Sequence, residues 1–262
     1  MAICLSKLTS LESLNLDFGR IESHPDLKSR HPFPPIRRVL PALAIFRFVG
    51  VNEYLEEFVA RIDAPQLRRW STTFITDIGF NTPELNQFIS CTPILGVYDD
   101  AIIVHVRGRA IFRLRQSHPE EMDIVSIEPH QKFASLVHSC TSLRLLLTIE
   151  NLYIIMGPKS LIRNDYVNNT EWLDLLLPFT AVKNLYLTKT VLRPFALVLQ
   201  EITGRRTTEV LPALQSIFLE GFQPSEPVQE DIAKFISARQ LINHPVAISI
   251  WDRDPVKDRF KW

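Results

Sequence analysis

Apolar residues return along this chain in one short rhythm, apolar-x-x-apolar-x-x-apolar-x-apolar. Leu8, Leu11, Leu14 and Leu16 make one copy, and Leu40, Leu43, Phe46 and Phe48 make a second. Phe179, Val182, Leu185 and Leu187 make a third, and Leu211, Leu214, Ile217 and Leu219 a fourth. The final apolar-x-apolar step has the period of a strand, whose successive side chains point to opposite faces. It predicts strands with Leu14, Leu16, Phe46, Phe48, Leu185, Leu187, Ile217 and Leu219 inward. Leu11 and Leu43 are 32 residues apart, as are Val182 and Leu214. Weaker copies begin at Leu67 and Leu95, a good one at Ile149, and Met122 to Ile127 reads as a further strand, so that about eight irregular units fill the chain.

Between the strands the apolar period becomes helical. Asn52 to Ile62 places Leu55, Phe58, Val59 and Ile62 on one face. Thr82 to Ser90 starts with a capping threonine and a proline in the first turn. Lys132 to Cys140, the segment around Trp172, Leu175 and Leu176, Leu192 to Ile202, and Pro227 to Leu241 complete the set. In the last of these Ile232, Phe235, Ile236 and Arg239 lie on adjacent turns, and Glu230 and Asp231 suit the positive end of the helix dipole. Strand, loop, helix, loop, strand at this spacing implies parallel strands with right-handed crossovers. Ala101 to Val106 and Ala110 to Leu114 flank Arg107-Gly108-Arg109 and read either as a hairpin turning at Gly108 or as two neighbouring strands.

The recurring phrase resembles the strand-turning phrase of a leucine-rich repeat. The resemblance implies an α/β fold: a right-handed solenoid over residues 1–251 with a curved parallel sheet and an irregular helical convex side. Trp251-Asp-Arg-Asp254 would cap the array and lead into a polar tail over 252–262. Four longer stretches are similar to the repeat region of fungal F-box-type proteins. They are Tyr54 to Leu67, Pro178 to Tyr186, Thr208 to Gln215 and Phe235 to Leu241. In that family an F-box recruits a cullin ubiquitin ligase and the repeats bind its target. Here the first phrase starts at Leu8, which leaves no room for an F-box ahead of it. The resemblance therefore implies a substrate-receptor-like array that does not itself bind a ligase adaptor.

Composition narrows the partner. Lys plus Arg is 29 and Asp plus Glu is 29, so the net charge is zero. A nucleic-acid or anionic-membrane binder would carry a basic excess, and neither is expected. Arg37-Arg38, Arg68-Arg69 and the run from Arg107 to Arg115 read as solvated rims. Cys4, Cys91 and Cys140 are too few and scattered for a disulfide framework or a zinc knuckle. No secretory signal and no span of apolar residues long enough for a membrane is visible, so a cytoplasmic or nuclear protein is expected.

Chemistry is sparse. No nucleophile elbow, phosphate loop, dinucleotide loop or paired-histidine zinc motif occurs. His130 and His138 flank a predicted helix, Asp99-Asp100 and Glu120-Glu121 are adjacent carboxylates, and Cys91 has no nearby base. No catalytic residue, metal or cofactor is expected. An enzyme of hydrolase type using Asp99 to Arg115, and a truncated family member with no remaining partner, are the rival readings.

The informative positions lie between the inward residues of each strand. Asn15, Arg47, Ser71, Tyr153, Tyr186 and Phe218 should face out of the concave sheet. The last three are aromatic, at steps of 33 and 32, and on neighbouring strands they would form an exposed ladder of interface anchors for a protein partner.

Overall fold

The structure, a computed structural model, describes residues 9–18, 37–74, 83–92, 98–106, 109–115, 121–127, 144–157, 169–202, 208–221 and 228–251. It is mixed α/β, with mostly parallel strand pairing, five α-helices among the described residues and no closed barrel. Two compact units divide it: residues 1–99 with 108–145, and residues 100–107 with 146–262.

The recurring phrase does two things at once. Its first apolar pair closes a turn. Leu43 N–H donates to Leu40 O, Leu67 to Ala64, Ile149 to Leu146, Val182 to Phe179 and Leu214 to Leu211. All ten of these residues are buried. The chain then enters a strand, where the next apolar pair points inward. At four of these entries one carbonyl of the preceding unit accepts two successive N–H groups. Glu12 O takes Ala44 and Ile45, Ala44 O takes Arg68 and Arg69, Glu150 O takes Lys183 and Asn184, and Lys183 O takes Gln215 and Ser216. Proline or apolar residues in the turn and one shared acceptor thus pin the register of the following strand.

In the first unit β1 (Ser13–Asp17), β3 (Ile45–Gly50) and β5 (Arg69–Phe74) pair in parallel. β5 continues in parallel to β8 (Glu121–Ile127), which pairs antiparallel with β7 (Arg109–Arg115). That antiparallel pair departs from the all-parallel expectation. A short connection joins β7 to β8, and only antiparallel strands can be joined without a crossover. A two-stranded sheet of β2 (Arg38–Val39) and β4 (Ile62–Asp63) lies beside α1 (Asn52–Val59). The expected helix to Ile62 therefore stops early: Ile62 is buried in β4, while Leu55, Phe58 and Val59 keep the helical face.

The core of this unit is aromatic. Phe46 stacks on Phe58 at 5.3 Å and meets Trp70 at 4.7 Å, and Trp70 meets Phe88 of α2 (Pro83–Cys91) at 5.4 Å. Each ring is fully or almost fully buried. The start of α2 is capped from another helix, because Glu56 of α1 accepts the N–H groups of Glu84 at 3.0 Å and Leu85 at 2.8 Å. A carboxylate there satisfies two orphan donors and suits the helix dipole. The expected cap, Thr82, lies outside the described residues. Leu16, expected inward, is only half-buried.

In the second unit β6 (Asp100–Val106), β9 (Asn151–Met156), β10 (Asn184–Leu187), β11 (Ser216–Glu220) and β12 (Ala247–Trp251) pair in parallel in that order. A 3-10 turn, Arg144–Thr148, leads into β9. Ala101 and Ile103 of β6 are buried. α3 (Asn169–Leu176), α4 (Lys189–Ile202) and α5 (Val228–Leu241) supply Trp172, Leu175, Phe195, Val198, Leu199 and Phe235 to a buried, largely aliphatic core with Leu152, Leu185, Leu187, Ile217 and Leu219. Burial of each such side chain contributes about 1.5–3 kcal/mol. Thr188 ties β9 to the turn before α4: its hydroxyl accepts the Met156 N–H at 3.2 Å, and the Thr190 hydroxyl donates to Met156 O at 2.6 Å.

Arg239 on α5 is fully buried beside the Phe235 ring and donates to the carbonyls of Val210 and Leu211. Leu211 has a left-handed backbone (φ 50), so this guanidinium supports a turn that an L-residue resists. Burial pushes the Arg239 pKa down. The hairpin turn at Arg107-Gly108, the helix over 132–140 and the tail over 252–262 lie outside the described residues.

Candidate functional site

On the outer face of the second unit, strand register brings the three predicted aromatics side by side. Tyr153, Tyr186 and Phe218 are direct partners across β9, β10 and β11. Tyr153 and Tyr186 stack at 4.3 Å with their planes 11° apart, and Tyr186 and Phe218 at 4.5 Å and 9°. All three are half-buried. The rings thus meet face to face along the row. Burial raises the Tyr186 pKa, its hydrogen bond with Tyr153 lowers it, and the charge of Asp100 raises it.

An amide row runs parallel to the rings, two residues earlier on each strand. Asn184 Nδ2 donates to Asn151 Oδ1 at 2.8 Å, and Asn151 Nδ2 donates to Asp100 Oδ1 at 2.9 Å. Ser216 holds the next register position. Each member satisfies its neighbour, so the row holds the strands in line, and the rings stand on an ordered base. At the foot of β9 and β10 the exposed pair Lys183–Glu150 closes at 2.6 Å.

Trp251, which opens the segment expected to cap the array, sits on the outer face of β12 and reaches back across the row, edge-on to Tyr186 at 5.4 Å and to Tyr153 at 5.9 Å; Asp252 to Asp254 lie outside the described residues. The apolar side of β12 remains open, with Ile250 63% exposed and Leu241, at the end of α5, 87% exposed. The alternation of β12 marks Trp251 as outward, but its reach across strands depends on side-chain packing. The amide row was legible: Asn151 and Asn184 repeat at the same 33-residue step as the tyrosines.

The other three predicted positions come together in the first unit. Asn15, Arg47 and Ser71 are register partners on β1, β3 and β5. Asn15 and Arg47 are exposed and Ser71 is half-buried. Of the basic rims, Arg37 is paired with Asp63 at 3.6 Å and Glu84 at 3.3 Å, so it braces α2 against β4.

The remaining sequence candidates do not assemble chemistry among the described residues. Asp100 opens β6 and is buried against Asn151, and Cys91 is an exposed thiol at the end of α2. His130, His138 and Glu120 lie outside the described residues. Among those described, no cluster of His, Cys, Asp or Glu is arranged to hold a metal ion, and no helix is long and apolar enough to cross a membrane. Set against known protein families, characterised proteins and solved structures, the chain matches none.

Proposed function

We propose that this protein is a non-catalytic protein-interaction module. It is read as a leucine-rich-repeat-like right-handed solenoid, with a curved parallel sheet whose outer row of rings receives the partner. The half-buried stack of Tyr153, Tyr186 and Phe218 carries the reading. Three rings held in register on a sheet are already ordered, so a partner gains aromatic contact without paying to immobilise them. Soluble proteins seldom keep such a row without a use. The turn-and-shared-carbonyl entry repeated at β3, β5, β10 and β11 supports a repeat array.

The resemblance to F-box-type substrate receptors supports a target-binding role in the cytoplasm or nucleus. In this reading residues 1–262 bind the target, and they do not bind a ligase adaptor, nucleic acid or a membrane. Affinity purification with the wild type and with Tyr153, Tyr186 and Phe218 all changed to alanine tests it. Partners lost from a folded triple variant support the reading. An unchanged set of partners, or capture of a ligase adaptor by residues 1–262 alone, overturns it.

A further inference from the structure

The outer face of the first unit carries two unpaired cations. Arg47 on β3 and Arg69 on β5 are exposed, while the residues beside them in the chain, Phe46, Phe48 and Trp70, are buried on the other face. Arg69 is the register partner of Ile45, and Arg47 that of Ser71, so the two arginines sit diagonally on adjacent strands of one face. Strand spacing and rise put their Cβ atoms about 8 Å apart. Among the described residues neither guanidinium has an ion pair or a hydrogen bond. Other arginines of the unit do: Arg37 meets Asp63 and Glu84, and Arg61 meets Glu57 at 2.6 Å. Asn15 and Ser71 flank Arg47 in register with neutral polar groups.

We propose that this pair binds an extended acidic segment of a protein partner, with carboxylates on alternate residues. The proposal rests on the chain being a protein-binding module, and not on the aromatic row. Alternate side chains of an extended segment share one side and lie about 6.6 Å apart. Two flexible arginine stems take up the difference from the diagonal, so each guanidinium meets one carboxylate through its fork of donors. A single phosphoryl group is smaller than the diagonal and would have to draw both side chains inward. A polyanion such as a nucleic acid would run its charges against acidic positions on both sides. Asp17 on β1 is exposed on the same face and already engaged in an interaction of its own, and Asp123 on β8 is in register with Ser71. The charge on the page therefore fits a short acidic run.

Titration of the whole chain with Ac-Ala-Glu-Ala-Glu-Ala-amide, followed by amide NMR shifts, tests this. The peptide should give saturable shifts at Asn15, Arg47, Arg69 and Ser71, and its glutamine counterpart none. Arg47→Gln and Arg69→Gln, both at exposed positions, should each weaken it about threefold and together about tenfold, and added salt should weaken it further. Changing both arginines to glutamate should transfer the preference to Ac-Ala-Lys-Ala-Lys-Ala-amide. Tighter binding of a phosphoserine peptide, Ac-Ala-Ala-pSer-Ala-Ala-amide, or of a short oligothymidylate overturns the proposal in favour of a phosphate ligand. Glutamate binding that ignores both glutamine variants, or no shifts with any probe, overturns it outright. The triple alanine variant reads the aromatic row separately. Partners lost there without any peptide binding remove only the acidic segment, and partners retained with the peptide bound remove only the aromatic row.

Discussion

The two units place their aromatic stacks on opposite sides of the same kind of strand. In the first unit Phe46, Phe58, Trp70 and Phe88 stack inside, between sheet and helices, and the outer row is Asn15, Arg47 and Ser71. In the second unit the core is largely aliphatic and the stack of Tyr153, Tyr186 and Phe218 runs along the outer face. Similar ring geometry thus carries two meanings. A stack sealed by helices contributes stability. A half-buried one contributes less to folding and, in the reading proposed above, keeps part of its surface for a partner to desolvate. Burial, and not ring spacing, separates the two.

The largest expected effect breaks the second core. Leu185 is fully buried, and its neighbour Asn184 faces outward. Leu185→Asp should cost about 4 kcal/mol or more, since it leaves an unpaired charge inside, whereas Asn184→Asp one residue away should cost about 1 kcal/mol. Equal losses in urea unfolding would show that β10 does not have the alternation described.

The comparison of stacks is tested next. Phe46→Ala should lower stability by about 3–5 kcal/mol, as for a buried ring in a closed core. Phe218→Ala should lower it by about 1–2 kcal/mol, the worth of one stacking contact and of a half-buried ring. If Phe218 proves as costly as Phe46, the outer row is core and the proposed role in recognition falls.

A smaller effect probes how the first unit holds its helices. Glu56→Ala removes the acceptor of two N–H groups at the start of α2 and should cost about 1–2 kcal/mol. The substitution Glu56→Gln, which keeps an oxygen and removes the charge, should recover part of this loss.

The smallest effect at neutral pH is one of alkaline titration. Burial raises the phenol pKa of Tyr98 in the first unit and of Tyr186 in the second above the ordinary 10.0. A raised folded pKa means that stability is intact below pH 10 and is lost as pH climbs from 10 through the folded values. Half-buried Tyr186 should ionise in the folded chain. Tyr98, at 3% exposure, should resist until unfolding. Phenolate absorbance of the wild type against Tyr98→Phe and Tyr186→Phe separates the two steps. If the wild-type minus Tyr186→Phe difference in phenolate absorbance appeared only on unfolding, the assignment would be refuted.

What the sequence by itself determined is the repeating unit. Its spacing of apolar residues dictates a turn followed by a strand, because a hydrogen-bonded turn spans three residues and a strand alternates every two. The same alternation marked Tyr153, Tyr186 and Phe218 as outward, and equal steps in sequence put them in one register. The parallel strands and the buried faces of α1, α4 and α5 followed from the same local periods. What only the tertiary structure decided depends on contacts between residues distant in sequence. The antiparallel β7–β8 pair, the capture of Ile62 by β4, the cap that Glu56 provides for α2 and the division into two units are all of this kind. So is Trp251. Alternation turned it outward, but its place over Tyr186 and Tyr153 depends on how far an indole reaches across neighbouring strands, and that depends on the packed sheet, not on the residues beside it in the chain.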